Sequence, residues 1–515
     1  MAACDDNMIR DSDVLIVNAN LELSGFEGNS PRSIEIKGPR ITQVGPTPAP
    51  EVASDDAIDA GGRIVLPGFI DSHAHLLFRE FDVLTVDFAP VAHLDEMISM
   101  VREKAQELGP GKWIVGISWD DSKVLGIERL NRKLLDATGL PNPVFLQRVC
   151  GHAAFLNSRA MDVLCSASGF DQIERYVDRP SGEIREEAVH LTRRLVQTEH
   201  SDRVRGVRRS IDEALSLGIT TLCEMHAVPY QFNVLREAAS DLEVLVYMDY
   251  ISDDSFEALR QLEPSDLCRP VGLKLVADGS IGARTAAVSM PYAGTEERGI
   301  LLLNRSEIAE IAERALRQGT QLAIHAIGDV AVDAVISAYE DAEAGAVPDH
   351  RHRLEHLELF PKPLDESLQR LERTGLIASM QPGFVESWGQ EDGLYGERFG
   401  AEWAKTNAFG LIKSAAIPLC FGSDSMPIGP IYGLRGAVNH PCQDFAVSIK
   451  DAIHAHTAGG AFAVREENRL GRIKEGMDAD LVILDCDRPD QVLDSSVIAT
   501  IKAGRIVYED HAALD

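Results

Sequence analysis

Eight short apolar runs, separated by helix-like stretches, constrain this chain more than any other feature. They are VLPGFIDSHAH (65 to 75), ITTLCEM (219 to 225), EVLVYMDY (243 to 250), GLKLVAD (272 to 278), LAIHAIG (322 to 328), HRLEHLEL (352 to 359), IASMQPG (377 to 383) and IPLCFGSD (417 to 424). Intervening stretches such as SEIAEIAERALRQG place apolar residues three and four apart, the period of a helix with one buried face. The chain therefore reads as repeated β/α units, and eight such units close a (β/α)8 TIM-like barrel.

The first run ends in two imidazoles one residue apart, His73 and His75. Alternate side chains of a strand share a face, so both rings can point at one ion. The strand's C-terminal end is also the face on which barrels carry their active sites. An HxH pair alone is weak evidence, because two half-buried histidines at a strand end would look the same. Later runs add ligand-type residues near their own ends: Lys274 on strand four, His325 on strand five, His356 on strand six and Asp424 at the end of strand eight.

The stretches LPGFIDSHAHL, GLKLVADGSIGART, LAIHAIGDVAVDA, HRLEHLEL, FGSDSMP and LGRIKEGMDADLVILD extend from residue 66 to 485. In combination they resemble the amidohydrolase superfamily, in particular its YtcJ-like branch, which includes N-substituted formamide deformylases. The resemblance implies a binuclear centre, usually zinc, with His73, His75 and Asp424 on one metal and His325 and His356 on the other. It also implies that Lys274 bridges the two as a carbamate.

An ammonium cannot ligate a metal, but a neutral lysine can take up carbon dioxide and become a two-oxygen anion, which arginine cannot. Of 50 basic residues only 12 are lysine, and Lys274 is the one lysine between Lys133 and Lys362. Its place in an apolar strand suits that role. A core lysine paired with Asp278 or Glu224 is the alternative, as is a mononuclear centre without the carbamate.

Other residues are candidates for contact with substrate. His152 in CGHAAFLNS and His226 in EMHA lie near expected active-site loops and are candidates for polarising a substrate carbonyl, His152 also as a catalytic residue. Arg284 in DGSIGART can meet an anionic part of a substrate or pair with a surface carboxylate. Trp119, with Asp120, and Trp388 are candidate pocket walls, although tryptophan is more often core. His454 and His456 read as packing or capping residues at a helix entrance.

A chain of 515 residues exceeds the roughly 250 of a bare barrel, so further domains are expected. Residues 1 to 66 carry DVLIVNANLEL and RSIEIKGPRITQVG, with KGPR as the expected hairpin turn, and residues 469 to 515 carry DLVILD and SVIATIKAGRIVYE. The two ends are expected to pair into a small β-sandwich around a barrel at 67 to 468. Residues 80 to 205 then form an α/β insertion after strand one that shapes the substrate pocket.

A net charge of −31 argues against nucleic acid or anionic membrane as a partner. Eight cysteines without CxxC spacing read as reduced thiols. With no basic n-region and no run of 18 apolar residues, the expectation is a cytoplasmic protein whose partner is a small-molecule substrate, with a homodimer as the assembly to test. DGSIGART lacks the spacing and lysine of a P-loop, and FGSDSMP lacks a GxSxG elbow.

The expected reaction is metal-assisted hydrolysis of an amide-type C–N bond in a formamide, N-acyl amine or cyclic amide, with Asp424 carrying the proton. A metal-dependent decarboxylase, deaminase or lactonase would use a similar barrel. A non-catalytic metal-binding relative is the reading from another class, and a retained general base argues against it.

Overall fold

A computed structural model of the chain describes residues 14–26, 31–47, 57–119, 123–148, 153–185, 187–196, 198–342 and 349–510. They form two compact units, one from residues 1–77 with 210–515 and the other from 78–209. Among the described residues no helix is long and apolar enough to cross a membrane.

The first unit is built on eight parallel strands in sequence order: β1 (Phe69–Ala74), β2 (Ile219–Ala227), β3 (Glu243–Asp249), β4 (Cys268–Val276), β5 (Gln321–Ala326), β6 (Arg353–His356), β7 (Ile377–Met380) and β8 (Leu419–Phe421). The strands are buried on both faces, as a parallel sheet wrapped by helices requires, and so they read as continuous apolar runs rather than alternating ones. The sheet is nearly closed into a barrel. At the seam, the Asp424 N–H donates to the His73 carbonyl at 2.7 Å.

The unit that feeds β5 shows how local sequence sets these elements. Asn304 accepts from the N–H groups of Ser306 and Glu307, while Glu307 reaches back to the Asn304 N–H, a reciprocal cap on helix Arg305–Gln318. Ile308, Ile311, Ala312 and Ala315 form the buried face. Gly319 then ends the helix at φ +65°, a left-handed conformation that glycine adopts without a Cβ clash.

Two four-stranded sheets stand beside the barrel. One orders Arg40–Pro46, Arg32–Lys37, Val14–Ala19 and Ile58–Asp59; the other orders Arg505–Glu509, Val497–Lys502, Leu481–Leu484 and Val65–Pro67. Both chain ends contribute to their shared core, through Ile16, Ile34 and Ile36 on one side and Leu481, Ile483, Ile498 and Ile501 on the other. The hairpin turn lies at Gly38 and Pro39, inside KGPR, with Lys37 opposite Arg40. Lys502, buried, joins this sandwich to the barrel: its Nζ lies 2.6 Å from Asp480 and 3.4 Å from Glu243, the first residue of β3.

The second unit carries a six-stranded sheet. Thr85–Asp87, Ile114–Trp119 and Val144–Arg148 run parallel, and Ala153–Leu156, Glu183–Arg185 and Val177–Asp178 extend it antiparallel. Apolar clusters cover both faces, one of them including helix Leu94–Leu108.

Candidate metal centre

At the end of β1 the backbone is clamped from the far side of the seam. Asp71 accepts from the N–H of His73 (3.2 Å), the N–H of Ser423 (2.9 Å) and the hydroxyl of Ser423 (2.6 Å). A Cβ on Gly422 would stand 2.4 Å from the His73 nitrogen, so only glycine lets the two chains approach this closely. Asp424 and Ser425 follow at φ +56° and +60°, a left-handed turn uncommon for such residues, three residues past the end of β8. It places Asp424 Oδ1 2.9 Å from His75 Nε2 and 3.5 Å from His73 Nε2. One ligand atom from each of His73, His75 and Asp424 lies within 4.8 Å of the others.

The remaining expected ligands surround this trio. His356, the last residue of β6, has its ring centroid 4.7 Å from His73 and 4.3 Å from His325. Lys274 Nζ lies 3.3 Å from His73 Nε2. His325 Nε2 is occupied by the Gly279 carbonyl at 2.9 Å, which leaves Nδ1 for any other partner. His356 Nδ1 is buried with no hydrogen-bond partner among the described residues. Register accounts for the convergence, since β4 sets Val276 beside His325 and β5 sets Ala326 beside His356.

Burial sets the protonation of most of these groups. It holds His73 and His356 well below the ordinary histidine range and His325 at about 4, with the Lys274 charge acting in the same direction. These imidazoles are neutral at pH 7, the form a metal needs. For His75 burial also acts downward, but the bonds to Asp424 and Glu224 outweigh it and raise the ring to about 9. Burial lowers Lys274 to about 8, against the pull of Glu355 and Asp424. Neither Asp278 nor Glu224 pairs with Lys274: Asp278 accepts the N–H groups of Ala287, Ile327 and Gly328, and Glu224 those of Leu76 and Leu77. A buried lysine without a carboxylate partner is unusual, and a titratable amine close to neutrality suits carbamate formation.

Several residues around the candidate ligands escape a reading of the sequence. Glu355 Oε2 accepts from His73 Nδ1 at 2.6 Å, and Arg353 Nε in turn lies 2.7 Å from Glu355 Oε1, with all three side chains closed to solvent. Arg353 also donates to the Ser72 carbonyl, the Ser379 hydroxyl and the Tyr247 hydroxyl. Glu224 Oε1 stands 3.6 Å from His75 Nδ1. Arg353 and Glu355, two of the three charges inside the apolar run HRLEHLEL, were the available signal, because unpaired charges are excluded from such strands.

The other candidates divide. His226 stacks on His75 with ring centroids 5.6 Å apart, and its Nδ1 lies 2.5 Å from Asp249 Oδ1. Trp388, half-buried, packs on Phe384, which stacks on His356 at 6.2 Å. Trp119 is a core residue of the second unit, its indole N–H donating to the Leu146 carbonyl. Arg284 sits between Glu297 (3.5 Å) and Glu397 (3.8 Å), the carboxylate pairing rather than a free cation. His152 and Asp120 lie outside the described residues. His454 and His456 lie at the end of helix Ile449–Ala455 and just before helix Ala458–Ala463, and the His456 ring packs edge-on against Phe69 and Phe421.

Comparison with known proteins points the same way as the geometry. The sequence model described as the amidohydrolase family matches residues 56–508. The N-substituted formamide deformylase of Arthrobacter pascens is 26% identical, covering 96% of this chain and 98% of that one. YtcJ of Bacillus subtilis (strain 168) is 26% identical over 88% of this chain and 90% of that one. An uncharacterized metal-dependent hydrolase from Pyrococcus furiosus superimposes with a TM-score of 0.77 at 29% identity, covering 93% of this chain and 99% of that one.

Proposed function

The chain belongs to the amidohydrolase family, and from that premise we propose that it hydrolyses an amide-type C–N bond of a small molecule, with N-substituted formamides as the leading substrates. The observation that carries the reading is the convergence of His73, His75 and Asp424 beside a buried Lys274 that makes no ion pair among the described residues. The match to a formamide deformylase along nearly the full length of both chains supports the substrate class.

The donor set fits divalent metal. His73, His75 and Asp424 would hold one ion, His325 and His356 a second, and Lys274, as its carbamate, would bridge them, with zinc suited to imidazole and carboxylate donors. Two such ions, when bound, would lower the pKa of a water toward neutrality and polarise the scissile carbonyl. Asp424 takes the proton from the attacking water and returns it to the leaving nitrogen as the C–N bond breaks, giving a carboxylic acid and an amine. Glu355 holds His73 by the ring nitrogen turned away from the trio, which fixes its rotamer, and Glu224 stands 3.6 Å from the corresponding nitrogen of His75.

The test is turnover of zinc-loaded protein on N-alkyl and N-aryl formamides, N-acetyl amines, cyclic amides, amidines and lactones, with amine release and metal content measured together. Release of amine from the formamides is expected. Protein at full zinc occupancy that cleaves lactones or amidines and no amide would overturn the reading.

A further inference from the structure

His226 and Asp249 stand at the C-terminal ends of adjacent strands, where register sets Ala227 beside Met248. The Asp249 carboxylate meets His226 Nδ1 at 2.5 Å, and the ring stacks on His75 at an interplanar angle of 27°. The His226 side chain is 42% exposed, against 6% for His75. It therefore flanks the candidate metal centre and keeps an edge open to a ligand. A carboxylate only accepts hydrogen bonds, so this contact places the ring proton on Nδ1. With the ring proton on Nδ1, Nε2 is the nitrogen left to accept, and it makes no hydrogen bond among the described residues.

We propose that His226 is a specificity-determining residue whose Nε2, fixed as an acceptor by Asp249, takes a hydrogen bond from the N–H of the substrate amide. The inference rests on the amide-hydrolase reading and adds a substrate restriction to it: the scissile nitrogen carries at least one hydrogen. That hydrogen is held and not transferred. The attacking water gives its oxygen to the carbonyl carbon and one proton to Asp424; the nitrogen receives that proton, the C–N bond breaks, and the N–H held by His226 leaves with the amine. Holding the N–H also fixes rotation about the C–N bond, so that the nitrogen lone pair is free to meet the proton. An N-methyl group in the same place would press on the Nε2 lone pair and leave it unpaired. A tertiary amide is therefore disfavoured on both counts. Asp249 is a positioning residue, acting through the tautomer of His226.

The test compares kcat/KM for N-butylformamide and N-butyl-N-methylformamide, and for the matching acetamides, in zinc-loaded wild type, His226→Gln, His226→Phe and Asp249→Asn. Zinc content and the circular dichroism spectrum are measured for each. Wild type is expected to favour the N–H member of each pair by about ten- to a hundred-fold, the range of one lost hydrogen bond to a desolvated partner. His226→Gln keeps an acceptor oxygen and keeps most of the preference, whereas His226→Phe loses it. Asp249→Asn can donate to Nδ1 and so move the ring proton to Nε2; the preference falls although the histidine and the zinc remain. A purely structural role would lower both members of a pair together. Wild type that cleaves N–H and N-methyl amides equally, or variants that keep the wild-type ratio, would overturn the inference and leave the amide reading standing. Wild type that cleaves no amide would overturn both.

Discussion

The carboxylate of Glu355 accepts a hydrogen bond from His73 Nδ1 at 2.6 Å, across 282 residues of sequence and out of reach of solvent. The contact fixes which His73 nitrogen faces Asp424 and Lys274, and Arg353 supplies the countercharge that lets the carboxylate be buried. Glu355→Gln keeps the shape and removes the charge. Zinc affinity is expected to fall about 10- to 100-fold, the usual effect of removing a partner behind a metal-bound histidine. Competitive titration with a chelator measures it, and an affinity equal to wild type would show that His73 is held by packing alone.

Lys274 provides a separate handle on the centre. Purified wild type is expected to carry about two zinc ions per chain, and Lys274→Ala to lose metal and turnover together. Short carboxylic acids that fill the bridging position should restore part of both. Plasma mass spectrometry and rate measurements with and without acetate or propionate check this. Full metal content in the alanine variant would remove the lysine from the centre.

Asp424→Asn retains an oxygen beside His75 and cannot take up the proton. Turnover is expected to fall by roughly 10²- to 10⁴-fold, the range of general acid–base catalysis. A near wild-type rate at full zinc occupancy would assign the proton to another group.

Acid should weaken the fold through His352, far from the proposed ligands in its chemistry. Burial, with the neighbouring His350 ring, depresses His352 to about 3 from the ordinary 6.5, and its Nδ1 meets the Tyr339 hydroxyl at 2.7 Å. The unfolded chain binds the proton first, so this contribution is complete above pH 6.5 and is lost as pH falls from 6.5 toward 3, at about 1.4 kcal/mol per pH unit. His352→Gln retains a hydrogen-bonding group and does not titrate. Its urea-unfolding free energy is expected to fall less steeply than that of wild type between pH 6.5 and 4, and parallel curves would refute the assignment.

Lys502 ties strand Val497–Lys502 to the start of β3 through Asp480 and Glu243. Lys502→Met leaves Asp480 buried without its cation. A loss on the order of 3–5 kcal/mol is expected in denaturant unfolding, as for other buried pairs broken on one side. An exposed pair would cost less than about 1 kcal/mol, so the measurement separates the two cases.

The barrel was legible in the sequence because its cause is local. A strand covered on both faces must be apolar throughout, and a helix with one buried face must repeat its apolar residues every three to four positions. The expected ligands were visible for the same reason, since His73, His325, His356 and Lys274 are polar residues inside runs that exclude them. Which of them meet, and what holds them, depends on strand register and on the seam between β1 and β8, where a Gly422 backbone lies against His73 and a left-handed turn carries Asp424 to the imidazoles. No short-range pattern encodes that approach. The same limit explains Trp119 and Arg284, whose surroundings are a distant core and two distant carboxylates. Sequence alone therefore determined the architecture and the candidate ligand types, because burial leaves its record one residue at a time. Tertiary structure decided the partners, Glu355 for His73 and Asp249 for His226, because a hydrogen bond between strands depends on the distance between two side chains and not on either neighbourhood alone.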